Sequence, residues 1–288
     1  MSNTTTGKTI LMGAVAYDPK VVTIWDGFKV WFESRGLGFD YILYSNYERQ
    51  VEQHFAGAFD VAWNSPLAWL QAERIAKRLG RKASAIAMRD TDCDLTSVVI
   101  TRADSDIESV DQLKGKKVAV GAWDSPQATL IPLIWLQEAG VSREDVEVVT
   151  FDVLVGKHGD HIGGERDACK ALMAGEVDAA CIIDGNHLAF SHEGTLPAGS
   201  TKVIGQTGKY DHCNFTVLDG APEAEMARFK ELLLSMSYDD PEVRHLLDLE
   251  GLKVWKDGRV EGYAALDRAI SAFGTVDDFV DGVVARLT

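Results

Sequence analysis

The sequence is short of positive charge. Its 29 Lys and Arg face 44 Asp and Glu, a formal net charge of −15 over 288 residues, which opposes the counterion release that nucleic-acid binding depends on. Nucleic acid and anionic membrane surfaces are therefore not expected as partners. Long hydrophobic runs are missing as well. No stretch approaches the roughly 18 consecutive apolar residues of a spanning helix, so no membrane span is expected. The segment Met1 to Lys8 has no apolar core, no A-x-A cleavage site and no lipid-acceptor cysteine nearby. The expectation is a cytoplasmic protein as written, or a periplasmic one if the chain was trimmed from an exported precursor. Cysteine is scarce: Cys93, Cys169, Cys181 and Cys213 lie far apart with no CxxC. Cys169 and Cys181 sit in apolar segments, where buried free thiols are the ordinary reading, with disulfides or a nucleophile as alternatives. Also missing are a G-x-S-x-G elbow, a phosphate-binding G-x-x-x-x-G-K-[ST] loop and a dinucleotide fingerprint. What is present is 46% hydrophobic and 25% charged residues, the composition of a folded chain long enough for about two lobes.

Strand and helix patterns alternate. Thr9 to Ala16, Phe39 to Tyr44 and Phe59 to Trp63 read as strands; Val21 to Ser34, Tyr47 to Phe55 and Pro66 to Leu79 read as helices. After strands at Ser84 to Met88 and Ser97 to Arg102, a second alternation starts at Lys117 to Val120. It continues with a helix from Pro126 to Glu138, a strand at Val146 to Phe151, a helix from Glu165 to Met173 and a strand at Ala179 to Ile183. Strands follow at Thr201 to Gly205 and Asn214 to Leu218, and the remainder reads as mostly helical. Strands separated by helices of this length predict an α/β class built on βαβ crossovers with mainly parallel sheets.

Ala56-Gly-Ala-Phe-Asp-Val-Ala-Trp-Asn64 repeats as Ala174-Gly-Glu-Val-Asp-Ala-Ala-Cys-Ile182. Each copy reads as a helix stopped by Gly, an Asp at the turn and a short buried strand. A chance match stays open. Each strand runs into a polar loop, Asn64-Ser65-Pro66 or Asp184-Gly185-Asn186-His187, and in open α/β sheets ligands bind beyond the carboxyl ends of the strands.

Several segments together carry a resemblance. They are Gly13-Ala-Val-Ala-Tyr17, Gly57 to Pro66, Asp111-Gln-Leu-Lys-Gly-Lys-Lys-Val-Ala-Val-Gly121, Ser125-Pro-Gln-Ala-Thr-Leu-Ile-Pro132, and Gly163-Gly-Glu-Arg-Asp-Ala168 leading to Gly175-Glu-Val-Asp-Ala-Ala180. Over about residues 9 to 220 the chain resembles the type II periplasmic-binding-protein fold, and within it the phosphonate-type substrate-binding proteins of ABC transporters. The resemblance implies a two-lobed Venus-flytrap with a cleft between the lobes, the first from residues 1 to 97 and 208 to 288, the second from 98 to 207. It implies a small-molecule ligand and a transporter as partner, with a sensor partner and a homo-oligomer left open. Phosphonate binders carry Ser-Thr-x-Gly where this chain has Ser125-Pro126-Gln127-Ala128, and a His where it has Glu165. A carboxylate there repels a dianion, so a zwitterion, a cationic or neutral ligand, or a metal-bridged acid fits better.

The candidate ligand-binding residues are Tyr17, Asn64, Ser65, Trp123, Ser125, Gln127, Glu165, Asp184 and His187. For Asn64, Ser65 and Asp184 the alternative is simple helix capping. Ser125 and Pro126 read as N-cap and first helical residue. Trp123 offers a stacking surface, whereas Trp69 reads as core. The segment Gly156 to Glu165 holds His158, His161 and Asp160 between glycines; these could ligate a divalent metal, serve as a base, or simply belong to a solvated loop. Two functions follow. One is capture of a small polar or carboxylate-bearing ligand. The other is a cytosolic decarboxylase or lyase on the same fold acting on a small, aromatic carboxylic acid, with His158, His161 and Asp184 as its catalytic groups and either no cofactor or a divalent metal.

Overall fold

The computed structural model describes residues 7–16, 19–152 and 161–288; the side chains of residues 161 and 162 lie outside that description. The chain starts with β1 (Ile10–Val15), α1 (Lys20–Ser34), β2 (Phe39–Tyr44), α2 (Tyr47–Phe55), β3 (Val61–Asn64), α3 (Pro66–Arg78) and β4 (Ala83–Arg89). Then come β5 (Ser97–Arg102), β6 (Lys117–Val120), α4 (Ile131–Glu138), β7 (Glu147–Thr150), α5 (His161–Ala174), β8 (Ala179–Ile183), α6 (Asp184–Glu193) and β9 (Thr201–Gln206). The last stretch holds β10 (Asn214–Leu218), α7 (Glu223–Ser235), α8 (Pro241–Glu250), β11 (Trp255–Asp257), α9 (Ala264–Phe273) and α10 (Asp277–Leu287). Two units result, one from residues 1–93, 211–263 and 276–288, the other from 94–210 and 264–275.

The first unit is built on a six-stranded sheet in the order β11-β4-β10-β3-β1-β2. The pairs β1/β2 and β1/β3 are parallel, as the βαβ pattern predicts. The returning β10 inserts antiparallel between β3 and β4, and β11 adds antiparallel to β4. In α1 the buried residues Val21, Ile24, Trp25, Phe28, Trp31 and Phe32 fall on one face, the spacing a 3.6-residue period requires. That face meets an aromatic cluster in which Phe28, Trp63, Phe215 and Trp255 pack at ring separations of 4.7 to 6.1 Å. Such rings each add about 1.5–3 kcal/mol by leaving water.

The second unit has a five-stranded sheet, β7-β6-β8-β5-β9. β6 pairs parallel with β7 and β8, while β5 runs antiparallel to β8 and β9. Both sheets are therefore mixed, which corrects the expectation of mainly parallel sheets. Only the βαβ stretches force parallel pairing; β5 and β10, which follow other connections, are free to enter reversed. Residues 264–275 belong to the second unit, because Arg268 pairs with Glu138 of α4 at 3.1 Å and Phe273 packs under the Arg143 guanidinium at 5.1 Å.

The internal repeat is built alike in both copies. Gly57 and Gly175 both take φ of +75° at the ends of α2 and α5, the left-handed conformation that glycine adopts without strain. Cys169, Cys181 and Cys213 are buried free thiols and Cys93 is half-buried.

Candidate functional site

In the first unit, Asn64 ends β3 and Ser65 starts α3. The Ser65 hydroxyl caps the helix by accepting from Ala68 N at 3.2 Å, and Pro66 occupies the first helical position. Asn64 is buried within a polar chain. Its Oδ1 accepts from Gln50 Nε2 at 2.7 Å, and its Nδ2 donates to Thr216 Oγ1 at 2.9 Å. Thr216 in turn donates to Asn214 Oδ1 at 2.6 Å, Asn214 Nδ2 donates to the Tyr263 hydroxyl at 2.8 Å, and that hydroxyl donates to the His212 carbonyl. Asn64 is thus a link in the core as well as the end of a strand. Gln50, Thr216, Asn214 and Tyr263 have no local sequence signature marking them as its partners. Tyr17 lies outside the described residues.

In the second unit, the loop after β6 leads into a π turn at Pro126–Leu130 before α4. Leu130 N reaches back five residues to Ser125 O at 3.0 Å, while Ser125 Oγ caps Ala128 N at 3.2 Å. Single π turns of this kind occur often at functional sites. The turn is fixed from several sides. Thr129 Oγ1 donates to Ala122 O at 2.8 Å, and Ser97 Oγ donates to Gln127 O at 2.5 Å. With its own proton so used, Ser97 Oγ accepts from the Tyr210 hydroxyl at 2.7 Å. Burial pushes the Tyr210 phenol far above its ordinary range, which keeps that donor protonated.

Glu165, on α5, is fully buried. Its Oε1 accepts from Gln127 Nε2 at 3.2 Å; its Oε2 accepts from Ile183 N and Asn186 Nδ2, each at 2.9 Å. Three donors satisfy the carboxylate, as a buried charge requires. The structure thus joins Ser125, Gln127 and Glu165 with Asn186, which the sequence placed only in the Asp184-Gly185-Asn186-His187 loop without assigning it a contact. The assembly ties the carboxyl end of β6 to that of the adjacent parallel strand β8. Gly164 permits the approach, since a Cβ there would lie 2.5 Å from Phe151 O.

Around this knot, Asp184 is exposed at the start of α6, its Oδ2 accepting from Thr96 Oγ1 at 2.7 Å. His187 shares a hydrogen bond of 3.0 Å with Thr201 Oγ1, and partial burial lowers its pKa. Trp123 is 42% exposed, and the Arg143 guanidinium stands 4.8 Å from its ring centroid. Trp69 is core, as expected. His158 lies outside the described residues, and His161 is described only as the first residue of α5.

A cavity of about 330 Å³ in the first unit lies at the amino ends of the strands, lined by Lys8, His54, Asp60, Arg81 and Asp219 among others. Its cations are already paired, Lys8 with Asp60 at 2.6 Å and Arg81 with Asp219 at 2.8 Å. Among the described residues no helix is long and apolar enough to cross a membrane.

Comparison with solved structures agrees with this architecture. The chain is similar to PhnD1 from Prochlorococcus marinus in complex with methylphosphonate, at 17% identity and a TM-score of 0.68, covering 93% of this chain and 98% of the other. It is also similar to a binding-protein component of an ABC phosphonate transporter from Pseudomonas aeruginosa, at 12% identity and a TM-score of 0.61, over 97% of each chain. A third similar structure is the periplasmic aliphatic sulphonate binding protein SsuA from Escherichia coli, with 16% identity, a TM-score of 0.60 and coverage of 96% and 94%. At these identities the likeness speaks for the fold, that of the type II periplasmic binding proteins. The family itself is decided by sequence, because the model for the periplasmic substrate-binding protein of phosphonate ABC transporters matches residues 15–269. The chain belongs to this family of ABC-transporter substrate-binding proteins.

Proposed function

We propose that this binding protein acts in the periplasm, where it captures a small zwitterion, an acidic head group joined to an amine, for an ABC transporter. Membership of the family supports capture of a small molecule and delivery to a transporter, and it supports the periplasm over the cytoplasmic expectation. Nothing in the comparisons favours the decarboxylase or lyase alternative.

The observation that carries the ligand class is the pair of carboxylates near the carboxyl end of β8, one on α5 and one at the start of α6. Glu165 is held buried beside the Ser125-capped π turn, and Asp184 is exposed at the end of β8. A bare dianion approaching this end of the sheet meets negative charge, whereas an amine is attracted by Asp184. The half-exposed Trp123 supplies aromatic surface for the rest of the molecule.

The test is calorimetric titration with paired ligands: an aminoalkyl phosphonate and an aminoalkyl sulfonate, each against its analogue without the amine, with inorganic phosphate alongside. The amino compounds are expected to bind at least about tenfold more tightly, the effect of about 1.4 kcal/mol from one charge contact. Asp184→Asn should remove that preference. Equal or tighter binding of the analogues without an amine overturns the ligand class, and breakdown of a bound ligand, seen by mass spectrometry, overturns the capture role.

A further inference from the structure

A second cluster of chemically active side chains lies in the first unit, where β4 ends and β10 begins. Asp92, His212 and Cys213 each direct one donor atom into the same space, all within 4.8 Å of one another. His212 Nδ1 is 3.1 Å from Cys213 Sγ and 3.4 Å from Asp92 Oδ1. Tetrahedral zinc, with Zn–S of about 2.3 Å and Zn–N or Zn–O of about 2.0–2.1 Å, sets its ligand atoms about 3.3–3.6 Å apart. The observed spacings fall within a few tenths of an ångström of that pattern. We propose that Asp92, His212 and Cys213 form a binding site for one thiophilic divalent cation, zinc foremost, with a fourth position open to solvent.

The site is held in register without an ion. Asp92 O accepts from His212 N at 2.8 Å and Asp92 Oδ1 accepts from Cys213 N at 3.2 Å, so the two segments are already aligned. Asp92 and Cys213 are buried, while the His212 side chain is 21% exposed and provides the way in. Arg89 stands behind the carboxylate, with Nε 2.5 Å from Asp92 Oδ2 and Nη2 2.9 Å from Oδ1. Hydrogen bonds of this kind orient ligands at metal sites. Arg89 Nη1 also donates to the Glu250 carbonyl at 2.8 Å and lies 3.3 Å from Glu250 Oε1, so the guanidinium keeps other acceptors when Asp92 shares an oxygen with the ion. One S–H bond breaks as the sulfur–metal bond forms, and the proton passes to the buffer. Because binding releases this proton, the cation competes with protons. This pairing of soft sulfur and imidazole with one carboxylate selects zinc or cobalt over magnesium or calcium.

The experiment uses the full chain stripped with a chelator, kept reduced, and titrated with Co²⁺ as probe. One equivalent is expected to bind with a thiolate-to-cobalt charge-transfer absorption that Zn²⁺ bleaches. Zn²⁺ should also raise the thermal midpoint, as any ligand of the folded state does. Cys213→Ser should abolish the absorption, and His212→Ala, at a partly exposed position, should weaken binding at least about tenfold. A His158→Ala/His161→Ala double variant should keep both signals. The proposal is overturned if no charge-transfer band forms in the wild type, if the band survives Cys213→Ser or binding is unchanged in His212→Ala, or if the double variant loses the signals.

Discussion

Asp178 holds the backbone of Lys117 at both polar groups: Asp178 N donates to Lys117 O at 2.9 Å, and Lys117 N donates to Asp178 Oδ2 at 2.8 Å. In the other sheet Asp60 does the same to Leu11, at 2.7 and 3.0 Å. The repeated Asp is thus a clamp between two parallel strands in each unit. Replacing Asp178 or Asp60 by Ala removes a carboxylate that accepts from a strand amide. Each change is expected to lower unfolding free energy by about 1–3 kcal/mol, read from the denaturant midpoint at unchanged slope. A midpoint unmoved by both would show that the clamp is dispensable.

Glu165 is the hub of the knot in the second unit, and Glu165→Ala leaves the donors of Gln127, Ile183 and Asn186 without it in a buried space. A loss of at least about 3 kcal/mol is expected, in the range for breaking a buried, hydrogen-bonded charge. Asn186→Ala removes only one of those donors and should cost about 1–2 kcal/mol. Equilibrium unfolding of the two variants side by side gives the order; equal losses would refute the hub.

The Ser125 hydroxyl caps the helix start. Ser125→Ala should cost about 0.5–2 kcal/mol as a lost N-cap, and Ser125→Gly less. Gly164→Ala is more severe, because its Cβ would stand 2.5 Å from a backbone oxygen that has no rotamer with which to move aside. Amide exchange in residues 121–130 of Gly164→Ala should rise above the wild type; unchanged protection would show that the close approach is not needed.

Two buried groups give stability opposite pH slopes. Burial pushes the His54 imidazole down to about 4 from 6.5. Its contribution is present above pH 6.5 and lost as pH falls towards 4, because the unfolded chain takes up the proton first. The loss reaches about 3 kcal/mol. His54→Phe, which keeps a ring against Phe59, should therefore gain on the wild type as the pH is lowered. Burial raises Glu250 to about 7 from 4.5, against the pull of Arg89. Its contribution is full below pH 4.5 and is lost as pH rises through 7, so Glu250→Gln should gain on the wild type in the opposite direction. Urea titrations at intervals from about pH 4.5 to 8 separate the two; parallel curves for either variant and the wild type would contradict the assigned group.

The sequence by itself determined the local elements. The apolar period of α1, the Gly57 and Gly175 helix stops and the Ser65-Pro66 and Ser125-Pro126 starts act within a few residues, so each can be read from a short window. It also carried the family, because the matched segments span much of the chain. Tertiary structure decided what depends on residues far apart. The antiparallel entry of β10 between β3 and β4, the packing of α9 in the second unit and the added strand β11 depend on contacts between distant parts of the chain, which no local pattern records. Glu165 is a single acidic residue in the sequence, and only the fold buries it and surrounds it with Gln127, Ile183 and Asn186. Asp92 meets His212 and Cys213 only because β4 and β10 lie side by side. A charge's role is set by what surrounds it, and those neighbours are fixed by packing over long chain separations.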